Sequence, residues 1–572
     1  MPKYPVTAFL LFLAFLSNQS TKAQTPVIQS KTYPQNIFRY PLDIPPSTAG
    51  GFGELRGNHF HSGLDFRTNQ REGYPVHAAY DGYISRLRVQ FGGFGNAVYI
   101  THPNGYTSVY GHLQRFSPEL LQAIRDEQRK QQKDIVDFSL TPMQFPVYKG
   151  QIVAWSGNTG GSAGPHLHFE LRDSETEQTI NAQLFGLTIP DQVPPSISAI
   201  AVYRLNGNPF SEKTAHNFYA VTGAAGHYRM LQPQVLEIGR EAGLGIACID
   251  QNSASANRNG AYSIEVKLDG TTIYTMAMER FAFDQTHAIN AYIDYPTAQT
   301  TGRMIQKCFV LPGSKISIYP QAINRGIIKL TDDEVHDVEY VVKDVAGNTS
   351  TIAIKVKAGS DEKSTIVPTT PGSTRFHYDQ TNTFTNDGLK VIIPPGNLYD
   401  DLDFTFSKLP KHVGAYSATY HLHNRLTPIH DEFDVWIKPD STIGQLANKA
   451  VIIGAGDAIY EDGYVKAKAK GFGDFYVKVD NEPPFIRPIN IVKGGSMAHK
   501  PKISFKIGDS LSGIKSYIGK IDGEWVLMEW DFKTKVLNYT FDTSITPGKH
   551  TLELTVTDNK DNAATYTADF YR

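Results

Sequence analysis

At 572 residues, with 40% hydrophobic and 20% charged residues, the chain is folded protein rather than disordered, and it is long enough for ~three to five domains. A formal net charge of −2 gives no basic field, which argues against nucleic acid or an acidic membrane surface as the partner. Aromatics at 11%, with 30 Tyr and 31 Phe, favour β-structure.

The first predicted element is a leader. Lys3 supplies a positive start, Val6 to Leu16 a short apolar run, and Thr21-Lys22-Ala23 a small-x-small cleavage site before Gln24. This pattern predicts a secretory signal peptide over residues 1–23, too short for a stable membrane span and without a cysteine at the cut for a lipid anchor. Its removal leaves 53 basic against 57 acidic residues, net −4. No later stretch is apolar and long enough to span a bilayer, so the expected mature chain is soluble and exported, to the periplasm, the cell envelope or the medium.

From Phe52 to Leu171, short alternating segments (VHAAYDGYISRLRVQ, NAVYITH, YTSVYGHL) are separated by glycine turns, which reads as antiparallel strands. One piece breaks the rhythm. From Ser117, followed by Pro118 and Glu119, to about Phe138, the spacing of Leu120, Leu121 and Ile124 predicts one surface helix inserted between strands.

Histidines cluster in this region. In GPHLHFEL, a strand puts His166 and His168 on one face and Leu167 on the other, so the two imidazoles suit a metal, a proton relay, or simply a solvated face. Upstream, GELRGNHFHSGLDFRT carries His61 and Asp65 four residues apart, on one face of an extended segment. His112 closes the strand SVYGHL. Two histidines and one carboxylate are the donors of an open catalytic zinc site, and the absence of HExxH removes a helical glutamate as base.

The stretches FHSGLD (60–65), VHAAYDGYIS (76–85), GFGNAVYITHPNGYTSVYGHL (93–113) and GNTGGSAGPHLHFEL (157–171) resemble the M23 family of zinc metallopeptidases, the LytM or lysostaphin-like peptidoglycan endopeptidases. The resemblance spans most of residues 50–172, under a quarter of the chain. It implies a LytM-type antiparallel sheet, one Zn²⁺ held by His61, Asp65 and His168, and two unliganded catalytic histidines, His112 and His166. One of these takes the proton of the attacking water; the other stabilises the oxyanion or protonates the leaving amine. His59, His77 and His102 read as structural, Asn96 as a turn residue, and Glu170 equally as a support of the site or a solvated strand residue, so it stays outside the predicted site. The helical insertion falls directly after His112, near the expected substrate groove, and only about 25 residues separate Gln24 from the start of the resembling region at residue 50, which argues against self-inhibition by an N-terminal arm.

Beyond Ile189 the texture is all-β. VPPSISAIAVY and VEYVVKDVAGNTSTIAIKV open and close one segment; EPPFIRPINIV and LELTVTDNKDNAATYTADF open and close another, an internal repeat of sandwich type resembling bacterial Ig-like modules. The expected order is a peptidase domain over 24–190, an Ig-like sandwich over 191–358, a Pro/Ser/Thr-rich linker over 359–374, a β-rich sandwich over 375–481 and a C-terminal Ig-like sandwich over 482–572. The fold class is therefore mainly β, with about three sandwiches after the catalytic sheet. Such modules act as spacers or as docks for an envelope protein partner. Trp525 and Trp530 offer either an aromatic platform for sugars or core packing. Cys248 and Cys308 both lie in strand-like flanks and permit a disulfide or two buried thiols.

The expected function is a zinc-dependent endopeptidase acting on the peptide stems of peptidoglycan. The alternatives are a catalytically silent wall-binding or hydrolase-activating module, and a peptidase acting on protein substrates.

Overall fold

Alternation decides the first sheet. In the strand His166–Asp173, Leu167, Phe169 and Leu171 are fully buried on one face, while His166, His168, Glu170 and Arg172 share the other. Each large apolar side chain taken from water contributes ~1.5–3 kcal/mol, so this register holds against a one-residue slip that would turn the polar face into the apolar core. The computed structural model describes residues 27–359 and 371–572; the expected leader, 1–23, and most of the expected linker lie outside the described residues.

The elements that build the site are β1 (Thr48–Gly50), β2 (Leu64–Arg67), β3 (Gly82–Val89), β4 (Ala97–Thr101), β5 (Tyr106–Gly111), α1 (Pro118–Gln131), β6 (Val136–Ser139) and β7 (His166–Asp173). They form one antiparallel sheet in the order β1-β2-β7-β5-β4-β3-β6. The strand Thr179–Ile180 adds to β7 and pairs in turn with Arg280–Phe281, so the sheet continues into the segment after residue 190. A single apolar cluster runs from Tyr33 through Phe169 and Ile200 to Val356, joining the first two segments.

The inserted helix is shorter than the sequence pattern suggests. Pro118 sits in its first turn, and it stops at Gln131 because Gln132 turns left-handed and its N–H closes on the carbonyls of Arg129 and Gln128. Residues 136–138, expected as its last turn, pair instead with β3. Its buried stripe is Leu120, Ile124 and Gln128, whereas Leu121 faces outward.

Two further cores follow. Between a five-stranded and a four-stranded sheet lie Val391, Val435, Phe475 and Val477; a second such pair of sheets encloses Ile503, Phe505, Leu537, Leu554 and Phe570. Both Pro-Pro breaks precede strands, Ser196–Arg204 and Phe485–Pro488. Cys248 and Cys308 are free, buried thiols. The chain is mainly β, and among the described residues no helix is long and apolar enough to cross a membrane.

The last sandwich folds back onto the first sheet. Arg125 of α1 pairs with Glu529 at 2.8 Å, the backbone N–H of Trp530 donates to Asp134 Oδ2 at 3.3 Å, and the Trp530 ring meets Phe91 edge-on. Trp530 thus packs at this junction rather than forming an open platform. Lys533 Nζ reaches the carbonyls of Asn158 and Ser162, 2.7 and 2.6 Å away, in the loop that leads into His166.

Candidate metal centre

The sheet register places Asp65 of β2 directly opposite His168 of β7. His61, four residues before Asp65, lies on the same face. Asp65 Oδ1 stands 3.0 Å from His61 Nε2 and 2.9 Å from His168 Nδ1, and the two nitrogens are 3.1 Å apart. All three residues are buried.

The outer atoms of these side chains are already engaged. His61 Nδ1 bonds the carbonyl of Gly51 at 2.8 Å, which leaves Nε2 as the inward lone pair. His168 Nε2 donates to Glu170 Oε1 at 2.9 Å, leaving Nδ1 inward; Glu170 in turn accepts from Ser62 Oγ and from Arg172 Nε at 2.6 Å. Arg56 contacts Asp65 Oδ2 at 3.0 Å and Glu54 at 3.2 Å.

Charge in this pocket favours a cation. Burial opposes the charged form of His168, yet its hydrogen bonds to the Asp65 and Glu170 carboxylates and their charges outweigh it and raise the imidazole to about 9. Burial likewise opposes the Glu170 carboxylate, but the Arg172 charge and the His168 and Ser62 hydrogen bonds bring it down to about 2. The Asp65 carboxyl is held well below its usual range: burial works against ionisation, and the His61 charge with the bonds to His166, His168 and His61 overrides it. Three convergent donor atoms of N, N and O type, each inward lone pair fixed by a partner behind it, fit a zinc ion with an open fourth position.

Two more imidazoles border the cluster. His112 follows β5 in the left-handed region (φ 58), an uncommon conformation for a residue with a Cβ, and its Nδ1 bonds the Thr159 carbonyl at 2.8 Å. His166 Nδ1 bonds the Gly164 carbonyl at 2.8 Å, and its Nε2 stands 3.4 Å from Asp65 Oδ1. The two rings face each other edge-on with centroids 4.7 Å apart. Burial and the charges of His168 and His166 push His112 down to about 3, so it stays neutral in solution.

Close approach of β2 and β7 depends on Gly63. A Cβ there would lie 2.4 Å from the Phe169 carbonyl and 3.0 Å from the His168 ring, so any side chain would push the two ligand-bearing segments apart.

The structure therefore brings together His61, Asp65, His168, His112 and His166. It keeps the other histidines apart: His59 is exposed beside Asn58, His77 is tied to Gly150 and Asp43, and His102 is buried between Asp81 and Ser108. Asn96 supports a turn by donating to the Leu113 carbonyl. Glu170, set aside at the sequence level, belongs to the site as the partner that orients His168. Its i+2 spacing from His168 was the available signal. Gly51 and Thr159 act through backbone carbonyls, which carry no side-chain signal.

These observations define a candidate metal centre of three convergent N, N and O donors on a β-sheet. Residues 59–131 match the model for Peptidase family M23, a zinc-dependent family, and residues 373–480 match the Zu5-like domain. The chain carries a peptidase family M23 domain. It is similar to the DD-carboxypeptidase/endopeptidase Mpg of Neisseria meningitidis, 33% identical over 144 residues covering 25% of this chain and 27% of that protein. It is also similar to the peptidoglycan DD-endopeptidase ShyA of Vibrio cholerae, 30% identical over 162 residues covering 27% and 31%. Among solved structures, the catalytic domain of the M23 protein EnpA from Enterococcus faecalis aligns at 27% identity over 27% of this chain and 98% of its own, with a TM-score of 0.19. The chain thus spans about a third or less of the length of these two curated relatives.

Proposed function

We propose that the protein is an exported zinc endopeptidase that hydrolyses peptide cross-links of peptidoglycan. The observation that carries this reading is the convergence of His61 Nε2, Asp65 Oδ1 and His168 Nδ1 beside two further imidazoles, His112 and His166, whose Nδ1 atoms are tied to carbonyls. Export rests on the leader pattern of residues 1–23, and the substrate class on the relatives named above.

His61, Asp65 and His168 would hold the zinc ion, which when bound supplies Lewis acidity toward a peptide carbonyl and acidifies water. The residues around it do the proton work. With Nδ1 of His112 and of His166 fixed as donors to carbonyls, Nε2 is the unprotonated atom of each neutral ring. Of the two, one accepts the proton of the attacking water and the other faces the developing oxyanion or the leaving amine. Burial, with the charges of His168 and His166, keeps His112 neutral between turnovers. Glu170 acts on His168 as a positioning residue, through the bond to Nε2.

The test is to incubate the purified protein with intact sacculi, with and without chelator, and to identify the released fragments. Chelator-sensitive release of peptide-cleaved material is the expected result. Sacculus binding without any cleavage would replace this reading with a silent wall-binding module.

A further inference from the structure

A second ligating cluster lies outside the peptidase site. One carboxylate oxygen from each of Asp191, Asp250 and Asp344 falls within 4.8 Å of the others. The three residues come from separate places in the chain: Asp191 precedes the strand Ser196–Arg204, Asp250 follows Glu241–Ile249, and Asp344 follows His336–Lys343. The first two strands pair side by side, which brings Asp191 and Asp250 to one end of the sheet.

Two features distinguish this cluster from an ordinary acidic turn. The first is a set of buried oxygens without a partner. Asp250 Oδ1, Asn252 Oδ1 and Asn259 Oδ1 accept no hydrogen bond, although each residue is more than nine-tenths buried. All three residues line one cavity of about 30 Å³ together with Asp191, and Asn259 sits directly opposite Asp250 in a backbone bridge. A buried acceptor left unpaired costs ~1–3 kcal/mol, and three around one cavity ask for a ligand that all of them can share.

The second is recurrence. Asp191 opens the pattern D-x-x-P-P (191–195), and Asp480 opens the same pattern at 480–484. Asp344 opens D-x-x-x-N (344–348), and Asp558 opens it at 558–562. In both, the Asn returns its backbone and side-chain N–H to the two Asp oxygens, at 2.9 and 2.7 Å in the first and 2.9 and 2.8 Å in the second. Asp509, like Asp250, directly follows the strand that pairs with the one after Pro-Pro, and its Oδ1 is also buried without a partner. Asp480, Asp509 and Asp558 then form a second cluster of the same kind. The Asp–Asn turn by itself explains Asp344 and Asp558 but not the other two members of either cluster.

We propose that Asp191, Asp250 and Asp344, with the amide oxygens of Asn252 and Asn259 that share a cavity with Asp191 and Asp250, bind one calcium ion at the junction of the peptidase sheet and the β-segment that follows it. The donors are all oxygen, which suits a hard cation and not zinc, and a mixed set of carboxylates and amides suits calcium better than magnesium, which keeps near-octahedral water. Burial and the charges of Asp344 and Asp191 push the Asp250 carboxyl up to about 8, the mark of a site short of positive charge. The ion sits against the peptidase sheet: Thr48 and Gly51 line the cavity, Asn252 Nδ2 donates to Thr48 Oγ1 at 3.0 Å, and the Gly51 carbonyl is the one that orients His61.

The test uses the full chain, loaded with zinc and dialysed free of calcium. Calcium titrated by calorimetry binds the wild type with a Kd in the ~10⁻⁶–10⁻³ M range of protein sites and raises its melting temperature. Asp250→Asn loses one bound equivalent or weakens it by more than about tenfold, while Asp509→Asn leaves that equivalent in place. An Asp250→Asn protein with wild-type stoichiometry and affinity, or a wild type that takes up no calcium at 10 mM (about ten times the weakest of those constants), overturns the proposal. Should Asp250→Asn not fold, a terbium soak of wild-type crystals decides: an anomalous peak among the three carboxylates supports the site, and its absence there rejects it.

Discussion

Two of the three ligating clusters among the described residues, the peptidase-site cluster and that of Asp191, Asp250 and Asp344, are finished differently. Each gathers three side chains from more than one strand or strand end, all three buried in the first and Asp191 half-buried in the second. Around His61, Asp65 and His168, each outward atom has a partner: the Gly51 carbonyl, Arg56 and Glu170. Around Asp191, Asp250 and Asp344, several oxygens have none. The first is a pre-organised site whose donors are aimed before any ligand arrives; the second waits for its ligand to satisfy it. Imidazoles with their far nitrogens pinned select a transition metal, and bare oxygens select a hard one.

The contrast is broken most severely at the ligands themselves. His168→Ala or Asp65→Ala removes one of three donors, so zinc retention and hydrolysis both vanish, with a loss of at least ~10³-fold in rate. Metal analysis of the purified variants beside a sacculus digestion assay checks this, and full zinc occupancy in either variant would contradict the ligand assignment. Next come the imidazoles that border the site. His112→Ala and His166→Ala keep the zinc and lose ~10²–10⁴-fold in turnover. A variant that digests sacculi at wild-type speed removes that histidine from the chemistry. The smallest effect belongs to the positioning residue. Glu170→Gln retains shape and a weaker acceptor, and it lowers zinc affinity ~10–100-fold with partial rescue of activity at saturating zinc. Loss of activity that zinc does not rescue would place Glu170 in the chemistry instead of behind His168.

Much of the peptidase site was legible because it is written in local periodicity. Two-residue alternation put His166 and His168 on one face, and the four-residue spacing of His61 and Asp65 held in the structure. The convergence of these segments followed from the resemblance of ordered blocks, not from any one spacing. Backbone acceptors were invisible, since a carbonyl of Gly51 or Thr159 leaves no trace in residue type. The end of α1 was misread because Gln132, not glycine, takes the left-handed turn. The docking of the last sandwich onto the first sheet was equally hidden: Lys533 and Asn158 meet across a separation of 375 residues, which no periodicity reports. The Pro-Pro repeat was plain in the sequence, yet the aspartates ahead of it gain meaning only when three strand ends are seen together.

The most direct test of the account is diffraction from zinc-loaded crystals, recorded on both sides of the zinc absorption edge. The account predicts one anomalous peak bounded by His61 Nε2, Asp65 Oδ1 and His168 Nδ1, with the rings of His112 and His166 beside it but not bound. A peak coordinated by His112 or His166, or no peak within reach of Asp65, would contradict it.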